Sequence, residues 1–132
     1  MKLPNFILFA IIFGCTPTTS NTENYNETIS GHWNMHQVYQ KGNDVTPEHN
    51  PEMERYIIFR EDGTFESGGS PYGKNTGAYE VDQQQKILFI DSDAGEDDDS
   101  RWKVENAGDT LKWEGIGSDF AESFRLVHVR KK

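Results

Sequence analysis

A chain of 132 residues with a formal charge of −9 has room for one domain and repels phosphate backbones, which argues against a nucleic-acid partner. Its single cysteine, Cys15, excludes an intramolecular disulfide and a cysteine-based zinc site. Only 34% of the residues are hydrophobic while 12% are aromatic, so a few large rings must supply much of the core.

The chain opens MKLPNFILFAIIFGC. Lys2 gives a positive start, and residues 6–13 are an unbroken apolar run. That run is far short of the roughly 20 residues a membrane-spanning helix needs, and it has the layout of a secretory signal. Its ending, Ile12-Phe13-Gly14-Cys15, resembles the lipobox of bacterial lipoproteins. Gly14 fits that pattern; Ile12 stands where leucine is commoner, and Phe13 is bulkier than the usual alanine or serine. The resemblance implies that the signal is cut before Cys15 and that Cys15 is lipidated. Two or three acyl chains, at about 0.8 kcal/mol per buried CH₂, hold a protein on a membrane almost permanently. The expectation is an envelope protein anchored to a membrane, not spanning it. Thr16 stands where an aspartate retains some lipoproteins at the inner membrane, so the same resemblance favours the outer one.

Residues 16–29 are rich in Thr, Asn, Ser and Glu and read as a flexible tether. Asn26-Glu27-Thr28 has the form of a glycosylation acceptor, which carries no weight in a bacterial lipoprotein. The folded domain is expected over residues 30–132. Residues 31–40 alternate as a first strand, with Trp33, Met35 and then Tyr39 on one face. A long connection over 41–52 carries two prolines, and Thr46-Pro47-Glu48 reads as the start of a one-turn helix with Thr46 as its cap. YIIFREDGTF, residues 56–65, predicts two strands joined through Glu61-Asp62-Gly63-Thr64, because glycine accepts the positive φ a tight turn demands.

Residues 67–75 read as loop, and TGAYEVD as a strand with Tyr79 and Val81 in phase. A turn over 82–85 leads to a strand over 86–91, and an acidic loop over 94–100 follows. RWKVE then alternates through Trp102 and Val104, and DTLKWEG through Leu111 and Trp113, with a turn over 106–109 between them. A glycine-containing loop over 115–118 precedes the last strand, 122–130. Eight short strands at about ten-residue spacing with tight turns predict antiparallel neighbours. The expected fold is all-β, an eight-stranded antiparallel up-and-down barrel rather than a sandwich, since closure removes the edges.

Gly31-His32-Trp33 matches the Gly-x-Trp of the lipocalins on their first strand. FREDGTF, GAYEVD and a closing strand carrying Arg125 extend the match. Over residues 30–130 the chain resembles a small bacterial lipocalin-like domain, shorter than most and without clear counterparts of the family's other loop motifs. The resemblance implies that Trp33 packs across a closed barrel end with a basic residue of the last strand over it. Arg125 and Arg130 are the candidates, Arg125 preferred for its place inside the strand. A guanidinium over an indole is a favourable cation–π pair.

An eight-stranded barrel is just wide enough to be filled by side chains or to hold one small ligand. In the first reading the rings simply fill it. In the second, Tyr56, Phe65, Tyr79, Trp102, Trp113 and Phe124 line a cup, with Tyr39, Met53 and Tyr56 near an entrance lidded by residues 41–52. Strands 56–59 and 87–90 are apolar on both faces, which suggests cover by loops or an outer contact with a protein, another copy or lipid. Asp91, Asp93, Asp97 and Asp99 alternate like calcium ligands, but Glu96 stands where an EF-hand loop needs glycine and Trp102 where it needs its last acid. The loop therefore reads as solvated. His32 and His36, about 13 Å apart along a strand, cannot share an ion, so no metal or other cofactor is expected.

No nucleophile elbow, phosphate loop or zinc-peptidase signature is present. The function expected from these residues is non-enzymatic: binding of a small apolar or amphipathic ligand by a lipid-anchored barrel. The alternative is a filled barrel acting as a protein-interaction or inhibitor module.

Overall fold

The computed structural model describes residues 28–132; the signal segment, Cys15 and the expected tether as far as residue 27 lie outside the described residues. Nine strands are present among the described residues, and on the eight that close the barrel apolar alternation sets an inner and an outer face. They are β1 (Gly31–Gln40), β2 (Asn43–Asp44), β3 (Tyr56–Phe59), β4 (Thr64–Gly68), β5 (Asn75–Asp82), β6 (Ile87–Ser92), β7 (Ser100–Ala107), β8 (Thr110–Gly115) and β9 (Phe124–Arg130). One-turn helices α1 (Thr46–His49) and α2 (Asp119–Glu122) follow β2 and β8. Successive strands from β3 to β9 pair antiparallel, β1 pairs with β3, and β9 returns to β1. The result is the closed eight-stranded barrel expected, with the two-residue β2 added against the end of β1.

The β3–β4 turn forms where the sequence places it. Gly63 has φ 86°, and Asp62 Oδ1 accepts from the Thr64 amide and hydroxyl at 3.0 and 2.6 Å. The first strand departs from simple alternation. A bulge between Met35 and Gln37 inserts one extra residue, so the phase flips. Trp33, Met35 and then Val38 face inward, and Tyr39 is only half-buried. Thr46 is the first helical residue rather than the cap, which is Val45. Buried at the head of the helix, its Oγ1 instead accepts from the Val38 amide at 3.0 Å. The last strand starts at Phe124, because residues 119–122 form α2, capped by Ser118 accepting from the Ala121 amide at 3.1 Å.

The barrel's two ends differ. At the first, Trp33 is fully buried and its Nε1–H donates to the Ile29 carbonyl at 2.7 Å. Ile29, expected in the tether, is likewise fully buried and plugs this end. The guanidinium over Trp33 is that of Arg130, 4.2 Å from the ring centroid, and not that of Arg125. Register decides this: antiparallel closure sets Arg130 directly opposite Trp33, and Arg125 opposite Tyr39 at the other end. Arg125 lies exposed on the outer wall, 3.6 Å from Glu114. Arg130 also donates to the Ser30 and Thr28 carbonyls at 2.9 and 3.0 Å.

Candidate ligand-binding site at the open end of the barrel

The longer connections, residues 41–55, 69–74, 93–99 and 116–123, gather at the opposite end. Between them a cavity of about 180 Å³ leads into the barrel. Its apolar wall comes from inward positions of six strands: Met35, Ile57, Phe65, Trp102, Trp113 and Leu126, with Ile90 beside them. Its polar groups are Arg55, Tyr72, Ser67, Ser100 and His128.

Arg55 is held by its own neighbourhood. Buried Asn50 donates through Nδ2 to the Met35 carbonyl at 2.9 Å and accepts from the Arg55 amide at 3.1 Å. The Arg55 carbonyl takes the Met35 amide at 2.9 Å, and its Nη1 donates to the His49 carbonyl at 3.2 Å. Its guanidinium lies 4.5 Å from the centroid of Tyr72. Gly69 makes that stacking possible: it has φ +99° and lies against the Glu54–Arg55 backbone, where any Cβ would collide. Burial holds the Arg55 pKa below the ordinary arginine range, but the group stays charged. Among the described residues no carboxylate lies within ion-pair distance of it.

Deeper in the barrel, the rings of Trp113 and His128 stack at 4.5 Å. Burial, and then the charge of Arg55, push the His128 pKa down to about 3, so the imidazole is neutral. His128 Nδ1 and Trp113 Nε1 are both buried with no hydrogen-bond partner among the described residues. By contrast, Trp102 Nε1 donates to Ser100 Oγ at 2.9 Å. Leaving such a buried group unmatched costs about 1–3 kcal/mol. Both rings line the cavity, while these two nitrogens are closed off from it.

Of the aromatic residues expected to line a cup, Phe65, Trp102 and Trp113 do so, and Tyr56 touches its rim. The ring of Tyr56 turns outward, stacked 5.1 Å from His32 and covering Gly68. Tyr79 lies below the cavity floor, edge-on to Phe59 at 4.8 Å, its hydroxyl donating to the Arg60 carbonyl at 2.6 Å. Phe124 packs at the rim between His49 and Phe120 at 5.7 and 5.2 Å. Tyr39 is carried away by the bulge, and Met53 is exposed on the connection. The sequence reading missed Arg55 and Tyr72, which sit on loops without periodicity. His128 carries no motif, although its alternation with Leu126 points it inward.

A larger, open cleft of about 550 Å³ flanks this end between α2 and the β6–β7 edge. It mixes Phe89, Ile116 and Trp102 with Asp91, Asp99 and Arg101, and no orphaned polar atom lines it. We therefore weight the smaller cavity. In the acidic loop, Asp99 Oδ1 accepts from the Ser92 amide at 2.8 Å and Asp93 Oδ2 from the Thr76 hydroxyl at 2.7 Å. Among the described residues no three His, Cys, Asp or Glu side chains converge on a possible ion site.

No family model matches the chain, and no curated protein matches it. It is similar to the crystal structure of a DUF4847 family protein from Bacteroides vulgatus ATCC 8482, with a TM-score of 0.58 and 16% identity. The match covers 78% of this chain and 94% of that one. At this identity the likeness extends to the fold alone.

Proposed function

We propose that the protein is a lipocalin-like, lipid-anchored component of the bacterial envelope that takes a small apolar or amphipathic ligand into the open end of its barrel. No chemistry is involved. One observation carries the reading: an apolar-walled cavity at the open end on which Arg55 has no carboxylate partner among the described residues. A barrel built only to be filled by its own rings gains nothing from that arrangement. The connection over 41–55, with α1 on it, forms the lid. Cys15 is the lipidation site, the outer membrane the favoured address, and the lipobox resemblance the support for both.

Two experiments test this. Native mass spectrometry of the full chain, ejected from nonionic detergent micelles, should find a mass excess on the order of a hundred daltons or more that is lost on denaturation. A bare mass that persists after incubation with envelope lipid extract would refute ligand binding. Labelled palmitate should enter the protein and be lost with Cys15→Ser; continued labelling would remove the anchor.

A second reading, an interaction module for a protein partner, has one observation in its favour. Three large side chains exposed by half or more, Met53, Tyr72 and Phe120, all lie on connections at the open end. Pull-down of one defined envelope protein, lost on Phe120→Ser and retained with an empty barrel, would replace the ligand reading.

A further inference from the structure

We infer that the cavity selects a compact monocarboxylate, its head held by Arg55; this rests on the ligand-binding reading above. The polar inventory gives the sign of the ligand's charge. Arg55 is the one cation on the cavity wall, and no Asp or Glu lines it. A cationic ligand would meet an uncompensated guanidinium in a partly desolvated site. A neutral ligand would leave that guanidinium without a counterion. A single negative charge satisfies it, and guanidinium–carboxylate pairs are among the strong charge-assisted hydrogen bonds.

Size sets the rest of the molecule. An apolar cavity of about 150 Å³ admits benzene. At about 180 Å³ this one takes a single ring or a short branched chain beside the carboxylate. Trp102 and Trp113, packed together at 5.5 Å and tilted by 53°, give it an aromatic wall.

The test uses matched ligands on the full chain in nonionic detergent. Benzoate and phenylacetate are compared with benzamide, benzyl alcohol and benzylamine by titration of the tryptophan indole N–H resonances. The expected result is saturable binding of the acids, with a shifted Trp113 N–H, at least about tenfold tighter than the amide or alcohol and with no binding of the amine. Arg55→Gln should abolish that preference, and Arg55→Lys should restore part of it.

Equal binding of acid, amide and alcohol would overturn the inference and leave ligand binding standing. So would preference for the amine, or failure of every probe while mass spectrometry still finds a retained molecule. Failure of every probe together with a bare mass would remove both.

Discussion

Each end of the barrel stacks one arginine on one aromatic ring, yet the two ends are built for different things. At the closed end the Arg130 guanidinium lies 4.2 Å over Trp33, donates to two carbonyls and is 3.8 Å from Asp109. At the open end Arg55 lies 4.5 Å over Tyr72, with one carbonyl partner and no carboxylate. The interaction is the same; its surroundings differ. Where nearly every donor is matched, as around Trp33, the structure gains stability and has nothing left to offer a ligand. The exception there is Asn106, whose Nδ2 donates to the Thr28 carbonyl while its Oδ1 is unmatched. Where a guanidinium stands beside open volume with no carboxylate among the described residues, stability is given up for recognition.

The comparison is broken most directly at Trp33. Trp33→Ala removes the largest fully buried side chain together with its bond to Ile29, and should cost about 3–5 kcal/mol in urea unfolding. A loss below about 1 kcal/mol would mean the closed end is not the stabilising one.

Acid should reach the open end next. The folded-state pKa of His128 is depressed to about 3 against an ordinary value near 6.5. Between those values the unfolded chain binds the extra proton, so this contribution is complete above about pH 6.5 and is lost as pH falls toward 3. The slope is at most about 1.4 kcal/mol per pH unit. His128→Leu should flatten that part of the pH–stability curve; an unchanged slope would locate the acid sensitivity elsewhere.

A smaller effect sharpens the contrast within one strand. Arg130→Met should destabilise by about 1–3 kcal/mol, since it strips partly buried charged hydrogen bonds from two carbonyls. Arg125→Met, on the exposed outer wall, should change stability by less than about 0.5 kcal/mol. Comparable losses in thermal melts would erase the distinction between the two arginines. Arg55→Gln should come last in stability, within about 0.5 kcal/mol of the parent by the same measurement, because its guanidinium gives up only one carbonyl bond and a stacking contact.

Much of the barrel was legible because alternation is written directly into the chain. Tyr79 with Val81, and Leu111 with Trp113, are read inward from sequence and are buried. Closure was legible as a way to remove edges. The bulge in β1 was not, since GHWNMHQVYQ contains no glycine or proline to mark it beyond its first residue, and the phase change at His36 is a tertiary event. The short helix α2 is a capped turn, DFAE after Ser118, hidden beside a strand signal. The choice between Arg125 and Arg130 needed only the rule that antiparallel closure brings the end of the last strand to the start of the first. Arg55 and Tyr72 were beyond reach: they meet because two irregular connections cross at Gly69, and nothing in either segment names the other.

The fastening of Thr28 and Ile29 at the closed end has a mechanical consequence. A chain fixed to a surface through its N-terminal side is pulled there first, at the carbonyls of Thr28, Ile29 and Ser30. Those three oxygens are held by Trp33 of β1, Asn106 of β7 and Arg130 of β9. Tension is therefore divided around the rim instead of peeling one strand from its neighbour. Under such a pull the cavity at the far end is spared the load.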